Sequence, residues 1–190
     1  MREIRILLLE DDADFAYLIK KRISEDPSMR IVGVADRATA GIRLAKELHP
    51  DLALIDLNLL DGTLSGVRAA HDIRLSTNAK VLLLTSVERE DVVIDASKRA
   101  YASGYIKKSA CTSLLTRISE TVASLTPEAL FIKTLLLSIL TDAERYVLQQ
   151  FLNGDEPSSS PKTIANQKTS IFRKLGVKNQ KELMRIIRNF

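Results

Sequence analysis

Apolar and polar positions alternate along the chain in two different rhythms. Short apolar runs occupy residues 4–9, 30–35, 52–56, 80–85 and 104–107. Most of them lack polar alternation, the pattern of strands covered on both faces. Between them lie segments with helical spacing, near 13–25, 37–48, 66–75, 88–101 and 111–124. In the second of these, Ile42, Ala45 and Leu48 recur every third residue and Leu44 meets Leu48 at spacing four. In the fourth, Val92, Val93 and Ala96 make one apolar face. Five strand–helix alternations predict an α/β fold, a doubly wound parallel five-stranded sheet with helices on both sides. On such sheets ligands bind at the carboxyl ends of the strands.

Beyond residue 124 the rhythm becomes helical only. Thr126-Pro127-Glu128 reads as a helix start, with a cap, a proline at the first helical position and an early acid. The apolar stretch 129–140 reads as a connecting helix. Thr141 with Glu144 has capping-box spacing, and Asn153-Gly154 ends the helix that follows. The segment 155–161 (DEPSSSP) is a loop, and two further helices are predicted near 162–175 and 179–189. The expected domains are therefore 1–124, a connecting segment 125–140, and a small all-α domain 141–190.

The strand ends carry polar groups that packing alone would not select. The first strand runs into Glu10-Asp11-Asp12, the third ends in Asp56, the fourth in Thr85-Ser86 and the fifth in Lys107-Lys108. Parallel strands put all of these on one edge. Carboxylates crowded there repel unless a cation neutralises them, and hard carboxylate oxygens suit Mg2+. A carboxylate such as Asp56 can attack a phosphoryl group, while magnesium and a lysine offset charge on the transferring oxygens. Any one acid after a strand is commonly a helix cap. The combination of acid, acid, hydroxyl and lysine on strands one, three, four and five is what carries the signal.

The segments LLLEDD, DLALIDLNLLDG, VLLLTS and GYIKKSA resemble the receiver domain of two-component response regulators, over about the first two-thirds of the chain. The resemblance implies a flavodoxin-like receiver with Asp56 as phosphoacceptor. It implies Mg2+ held by Glu10, Asp11, Asp56 and the main-chain carbonyl of Asn58. Thr85 would be the switch hydroxyl, Lys108 the invariant lysine, and Tyr105 the aromatic that changes rotamer. Two positions depart from the family pattern. Leu60 stands where proline is frequent, and Tyr101 stands where a glycine commonly ends the fourth helix. Altered loop and helix-end geometry is expected there, not lost phosphorylation. Asp12-Ala13-Asp14 also matches the D-x-D of haloacid dehalogenase-like phosphatases, but Glu10 and Asp11 intervene after the strand, and Asp56 lies deep in the chain. A regulator that transfers phosphate to itself is expected, not an enzyme that turns over external esters.

Residues 141–190 are similar to the helix-turn-helix output domain of the NarL/LuxR type. The similarity lies in Leu140-Thr141, Glu144, Val147-Leu148, Gly154 and the run from Lys162-Thr163-Ile164 to Lys174-Leu175-Gly176-Val177. It implies that Lys162, Thr163, Asn166, Gln167 and Ser170 face DNA, with Lys168, Arg173 and Lys174 on backbone phosphates. Between Gly154 and Thr163, however, only DEPSSSPK is present, about two helical turns short of the family's scaffold helix. Ala165 and Gln167 replace the usual lysine and histidine.

Charge sharpens this picture. The first 124 residues balance 18 basic against 18 acidic side chains, whereas 141–190 hold nine basic and five acidic, so the net charge of +4 resides in the tail. A basic tail fits a polyanion partner. No apolar run approaches membrane-spanning length, the N-terminal apolar run stops at Glu10, and the single Cys111 excludes an internal disulfide. A cytoplasmic protein without membrane contact is expected. The implied partners are a histidine kinase or phosphotransfer protein, a second copy on activation, and DNA bound weakly and with strong salt dependence. The function read from the sequence is a response regulator phosphorylated on Asp56 that controls transcription. The alternative is a phosphorylation-gated protein-interaction regulator whose shortened output domain no longer reads DNA.

Overall fold

The computed structural model describes residues 2–124, 126–155 and 158–188. Leu125, where the connecting segment was expected to begin, Glu156 and Pro157 of the expected loop, and Asn189 at the end of the last expected helix lie outside the described residues.

Strands β1 (Ile4–Leu9), β2 (Met29–Ala35), β3 (Leu52–Asp56), β4 (Lys80–Thr85) and β5 (Gly104–Lys107) form one sheet in the order β2-β1-β3-β4-β5, every pair parallel. This is the flavodoxin-like doubly wound order, with a switch point between β1 and β3. Because strand side chains alternate, each apolar run feeds two cores. Leu7, Leu9, Ile55 and Leu83 face one side, packed by helices α2 (Ala38–Leu48), α3 (Ser65–Ser76) and α4 (Glu90–Arg99). Ile6, Leu8, Leu54 and Leu84 face the other, packed by α1 (Ala13–Ile23) and α5 (Leu114–Val122). The fifth predicted helix starts later than the sequence suggests. Lys108–Ser113 winds as a 3-10 turn, and Ala110 (φ −107°, ψ 25°) leaves helical geometry, so the α-helix begins only at Leu114.

In the C-terminal region the described residues form the helices α6 (Pro127–Leu137), α7 (Asp142–Asn153), α8 (Pro161–Leu175) and α9 (Gln180–Arg188). Local chemistry sets the boundaries. The Thr126 side chain caps α6 with Pro127 at its first position, which starts that helix two residues before the apolar stretch. Thr141 and Glu144 form a reciprocal capping box on α7, and Gly154 closes it at φ 83°. Ser160 caps α8 and Gly176 ends it. Between α7 and α8 the described residues Asp155 and Ser158–Ser160 are not helical.

These helices share a third core, built on Ile132, Leu136, Val147, Leu148, Ile171, Leu183 and Ile186. Tyr101, at the end of α4, belongs to it as well. Its backbone sits in the left-handed region at φ 50°, where a side chain is strained and glycine is favoured. The ring is buried, stacks on His71 at 5.1 Å, and its hydroxyl donates to the carbonyl of Leu175. Beside it, the fully buried guanidinium of Arg74 donates to the carbonyls of Tyr101 (2.9 Å) and Ile186 (3.2 Å). Arg185 reaches back to the Leu75 carbonyl at 2.8 Å. The altered helix end expected at Tyr101 is thus the point where the C-terminal helices dock, at the sheet edge remote from the strand carboxyl ends. Leu60, the other departure, is simply exposed.

Candidate phosphoacceptor site

The site lies at the carboxyl ends of β1, β3, β4 and β5. Register places it there: Leu9 pairs with Ile55, Asp56 with Leu84, and Thr85 with Lys107. Glu10 and Asp56 are buried, and carboxylate oxygens of Glu10, Asp11 and Asp56 all lie within 4.8 Å of one another. Lys108 places its ammonium 2.8 Å from the Glu10 carboxylate and 3.0 Å from Oδ2 of Asp56. It also sits 4.5 Å from the ring centroid of Phe15, a residue for which the sequence offered no signal beyond its place in α1. Asp12 is spent differently: its side chain accepts from the amides of Asp14 and Phe15 and caps α1. That leaves the D-x-D pattern as a helix start.

One ammonium cannot neutralise three carboxylates. Burial raises the pKa of Asp56 above the ordinary carboxylate value, with Asp11 adding repulsion, although Lys108 pulls it down. Burial likewise raises Glu10, against the hydrogen bond from Lys108, and the charge of Asp56 adds to the rise. Lys108 loses solvation too, but its hydrogen bonds and charge contacts to Glu10 and Asp56 outweigh that and leave its pKa raised. Beyond its ion pair with Lys108, Oε2 of Glu10 is buried and accepts no hydrogen bond. Three carboxylates facing this ammonium carry excess negative charge, which fits a hard divalent cation.

The backbone around Asp56 leaves no slack. A Cβ on Gly66, at the start of α3, would fall 1.7 Å from the Asp56 carbonyl oxygen, so only glycine lets α3 approach this closely. Gly66 donates its amide to the Leu57 carbonyl at 3.1 Å. Asn58 adds a side-chain contact, its Oδ1 accepting from the Leu64 amide at 3.1 Å. Thr85 is fully buried, and its hydroxyl oxygen accepts from the Val87 amide at 2.9 Å. Tyr105 is half-buried and lines a cavity of about 290 Å³ together with Ile94, Ser97, Pro127, Phe131 and Ile132. Helix α6 therefore packs against the same face as Tyr105. Thr126 donates to the Ser103 carbonyl at 3.0 Å, and Arg117 pairs with Glu128 at 2.9 Å.

The residues expected to face DNA divide into two groups. Lys162, Thr163, Asn166 and Arg173 are exposed on α8, and Gln167 is half-buried. The others are engaged inside the helical region. Ser170 donates to Glu144 at 2.6 Å, and Lys174 pairs with the same carboxylate at 2.7 Å. Lys168 donates to Gln180 at 2.8 Å. Glu144 is buried; desolvation alone would raise its pKa, but Lys174, Ser170 and Thr141 together hold it at about 2. The sequence showed Glu144 only as a capping residue. No helix among the described residues is long and apolar enough to cross a membrane.

Comparison with known proteins agrees with this geometry. The family model described as the response regulator receiver domain matches residues 6–119. Over 205 aligned residues the chain is 23% identical to the transcriptional regulatory protein YdfI of Bacillus subtilis, covering 96% of this chain and 94% of that protein. The nitrate/nitrite response regulator protein NarL of Escherichia coli is 34% identical over 104 residues, covering 54% of this chain and 47% of NarL, about half its length. The solved structure of the RcsB response regulator from Salmonella typhimurium superposes with a TM-score of 0.59 over 99% of this chain and 98% of that one, at 20% identity, and shares its fold.

Proposed function

Because the chain belongs to the response regulator receiver family, we propose that it is a two-component regulator, phosphorylated on Asp56 by a partner histidine kinase or phosphotransfer protein, with its C-terminal helices acting on DNA. The observation that carries this reading is the convergence of Glu10, Asp11, Asp56 and Lys108 at one sheet edge. Glu10, Asp11, Asp56 and the carbonyl of Asn58 would hold Mg2+. When bound, the ion supplies positive charge to the oxygens of the transferring phosphoryl group. Asp56 is the nucleophile: its carboxylate oxygen forms a bond to phosphorus as the donor's bond to phosphorus breaks. Lys108 holds the carboxylate in place and offers its positive charge to the new acyl phosphate. The Thr85 hydroxyl then turns towards the phosphate, and Tyr105 moves into the space it leaves.

The output reading rests on α8. Its exposed stripe of Lys162, Asn166, Thr169 and Arg173 offers charge and amide groups to a nucleic acid. With Lys168, Ser170 and Lys174 engaged internally and no scaffold helix among the described residues, binding is weak, salt-sensitive and poorly discriminating. The alternative, a phosphorylation-gated protein-interaction regulator, is favoured by the exposed apolar side chains Leu130 and Phe131 on α6. Acetyl phosphate with Mg2+, followed by polarisation titration of generic duplex DNA, tests both halves. Labelling confined to Asp56 and a DNA affinity that rises on labelling support the proposal. Labelling of an Asp56→Asn protein overturns the first half, and no DNA binding at low salt overturns the second.

A further inference from the structure

The exposed stripe of α8 does not end in open solvent. Lys162 and Arg173 stand eleven residues apart on the same face, about 16 Å along the helix axis. At the Arg173 end the stripe meets the receiver. A groove of about 370 Å³ crosses the boundary there, with Lys98 and Arg99 from the last turn of α4 on one wall and Arg173 and Lys174 on the other. Tyr101 forms its floor, and the bond from its hydroxyl to the Leu175 carbonyl fixes the two walls in register. Among the described residues, no carboxylate lines the groove. Lys174 is already paired with Glu144, and Arg99 meets Asp95 only at 3.6 Å on the exposed surface of α4. Among the described residues, Lys98 and Arg173 make no ion pair.

We propose that this groove is a second phosphate-contact site for duplex DNA, in which Lys98 and Arg99 of the receiver extend the basic stripe of α8 across the domain boundary. The inference rests on the DNA-binding reading given above and deepens it. A recognition helix with few free cations among the described residues gains contacts from the receiver, which is docked beside it through Tyr101 and Arg74. Contacts of this kind are to backbone phosphates: they add affinity and salt dependence without reading bases.

Salt titration isolates the claim. Each phosphate contact contributes about 0.9 to the slope of log affinity against log salt concentration on duplex DNA. Full-length protein activated with beryllium fluoride is titrated against one fluorescein-labelled duplex at several salt concentrations. The Lys98→Gln, Arg99→Gln double variant is compared with Lys20→Gln, Lys21→Gln, which removes the same charge from exposed positions on α1. The expected result is a slope shallower by about one to two for the first variant only. Discrimination between unrelated duplexes should not change. Equal slopes in wild type and the Lys98/Arg99 variant, or equal losses in both variants, overturn the receiver's role while leaving α8 binding in place. Absence of binding by wild-type protein at the lowest salt overturns this inference together with the DNA half of the proposed function.

Discussion

Replacing Glu144 with glutamine removes the negative charge to which Ser170 and Lys174 of α8 are bonded. In the folded chain its carboxyl is kept at about 2, although burial pushes the other way, because the Lys174 ammonium, the Ser170 hydroxyl and the Thr141 backbone amide all donate to it. A carboxyl held at about 2 instead of 4.5 corresponds to about 3 kcal/mol of folding free energy above pH 5. Lys174 is 29% exposed, so solvent screens part of that, and about 2 kcal/mol is expected for Glu144→Gln at pH 7. The sign of the pH dependence follows from the lowered pKa. The contribution is complete above about pH 4.5 and is lost as pH falls towards 2. Urea unfolding followed by helical circular dichroism, with hydrogen exchange at Ile171 as a local probe, should therefore show a stability gap between wild type and variant. That gap should be largest near neutral pH, shrink by up to about 1.4 kcal/mol per pH unit on acidification, and close near pH 2. A gap independent of pH would refute the reasoning, because it would assign the loss to shape and not to charge.

Three further outcomes follow from the geometry. Gly66→Ala drives a methyl group into the Asp56 carbonyl and should cut the rate of phosphorylation by acetyl phosphate more than tenfold, with the fold kept by circular dichroism. Lys108→Ala removes the ammonium that, among the described residues, pairs with Glu10 and Asp56, so phosphorylation of Asp56 should no longer strengthen DNA binding or self-association, measured by polarisation and sedimentation. Tyr101→Gly relieves a left-handed backbone by about 1 kcal/mol but removes a buried ring and its bond to Leu175. Amides of α8 and α9 should then exchange faster while labelling of Asp56 stays at the wild-type level; unchanged exchange would show that Tyr101 does not hold the helices.

Much of the fold was legible because its signals are local. Unbroken apolar runs such as Leu52–Asp56 mark strands covered on both faces, and Thr126, Thr141–Glu144 and Gly154 mark helix ends by cap chemistry. The acidic cluster was legible for a topological reason: strand ends in a parallel sheet share an edge, so Glu10, Asp11, Asp56 and Lys108 meet although 98 residues separate the first from the last. The docking of the C-terminal helices was not legible. Arg74 reads as one polar position on a helix, yet it is fully buried and bonded to Ile186. Tyr101 stood out only as a residue where glycine was expected, and nothing in its neighbours points to Leu175, 74 positions away. Ser170 and Lys174 looked available for DNA because helical periodicity places residues on a face without saying which neighbouring helix that face meets; here it meets Glu144 of α7.

The most direct test of the central claim is chemical. Wild-type protein and Asp56→Asn are incubated with acetyl phosphate and Mg2+, the acyl phosphate is trapped by borohydride reduction, and the modified residue is located by peptide mass spectrometry. The account predicts a single trapped site at Asp56 in the wild type, dependent on Mg2+, and none in the variant. A trapped group at another acid in the wild type, or the same yield from Asp56→Asn, would contradict it.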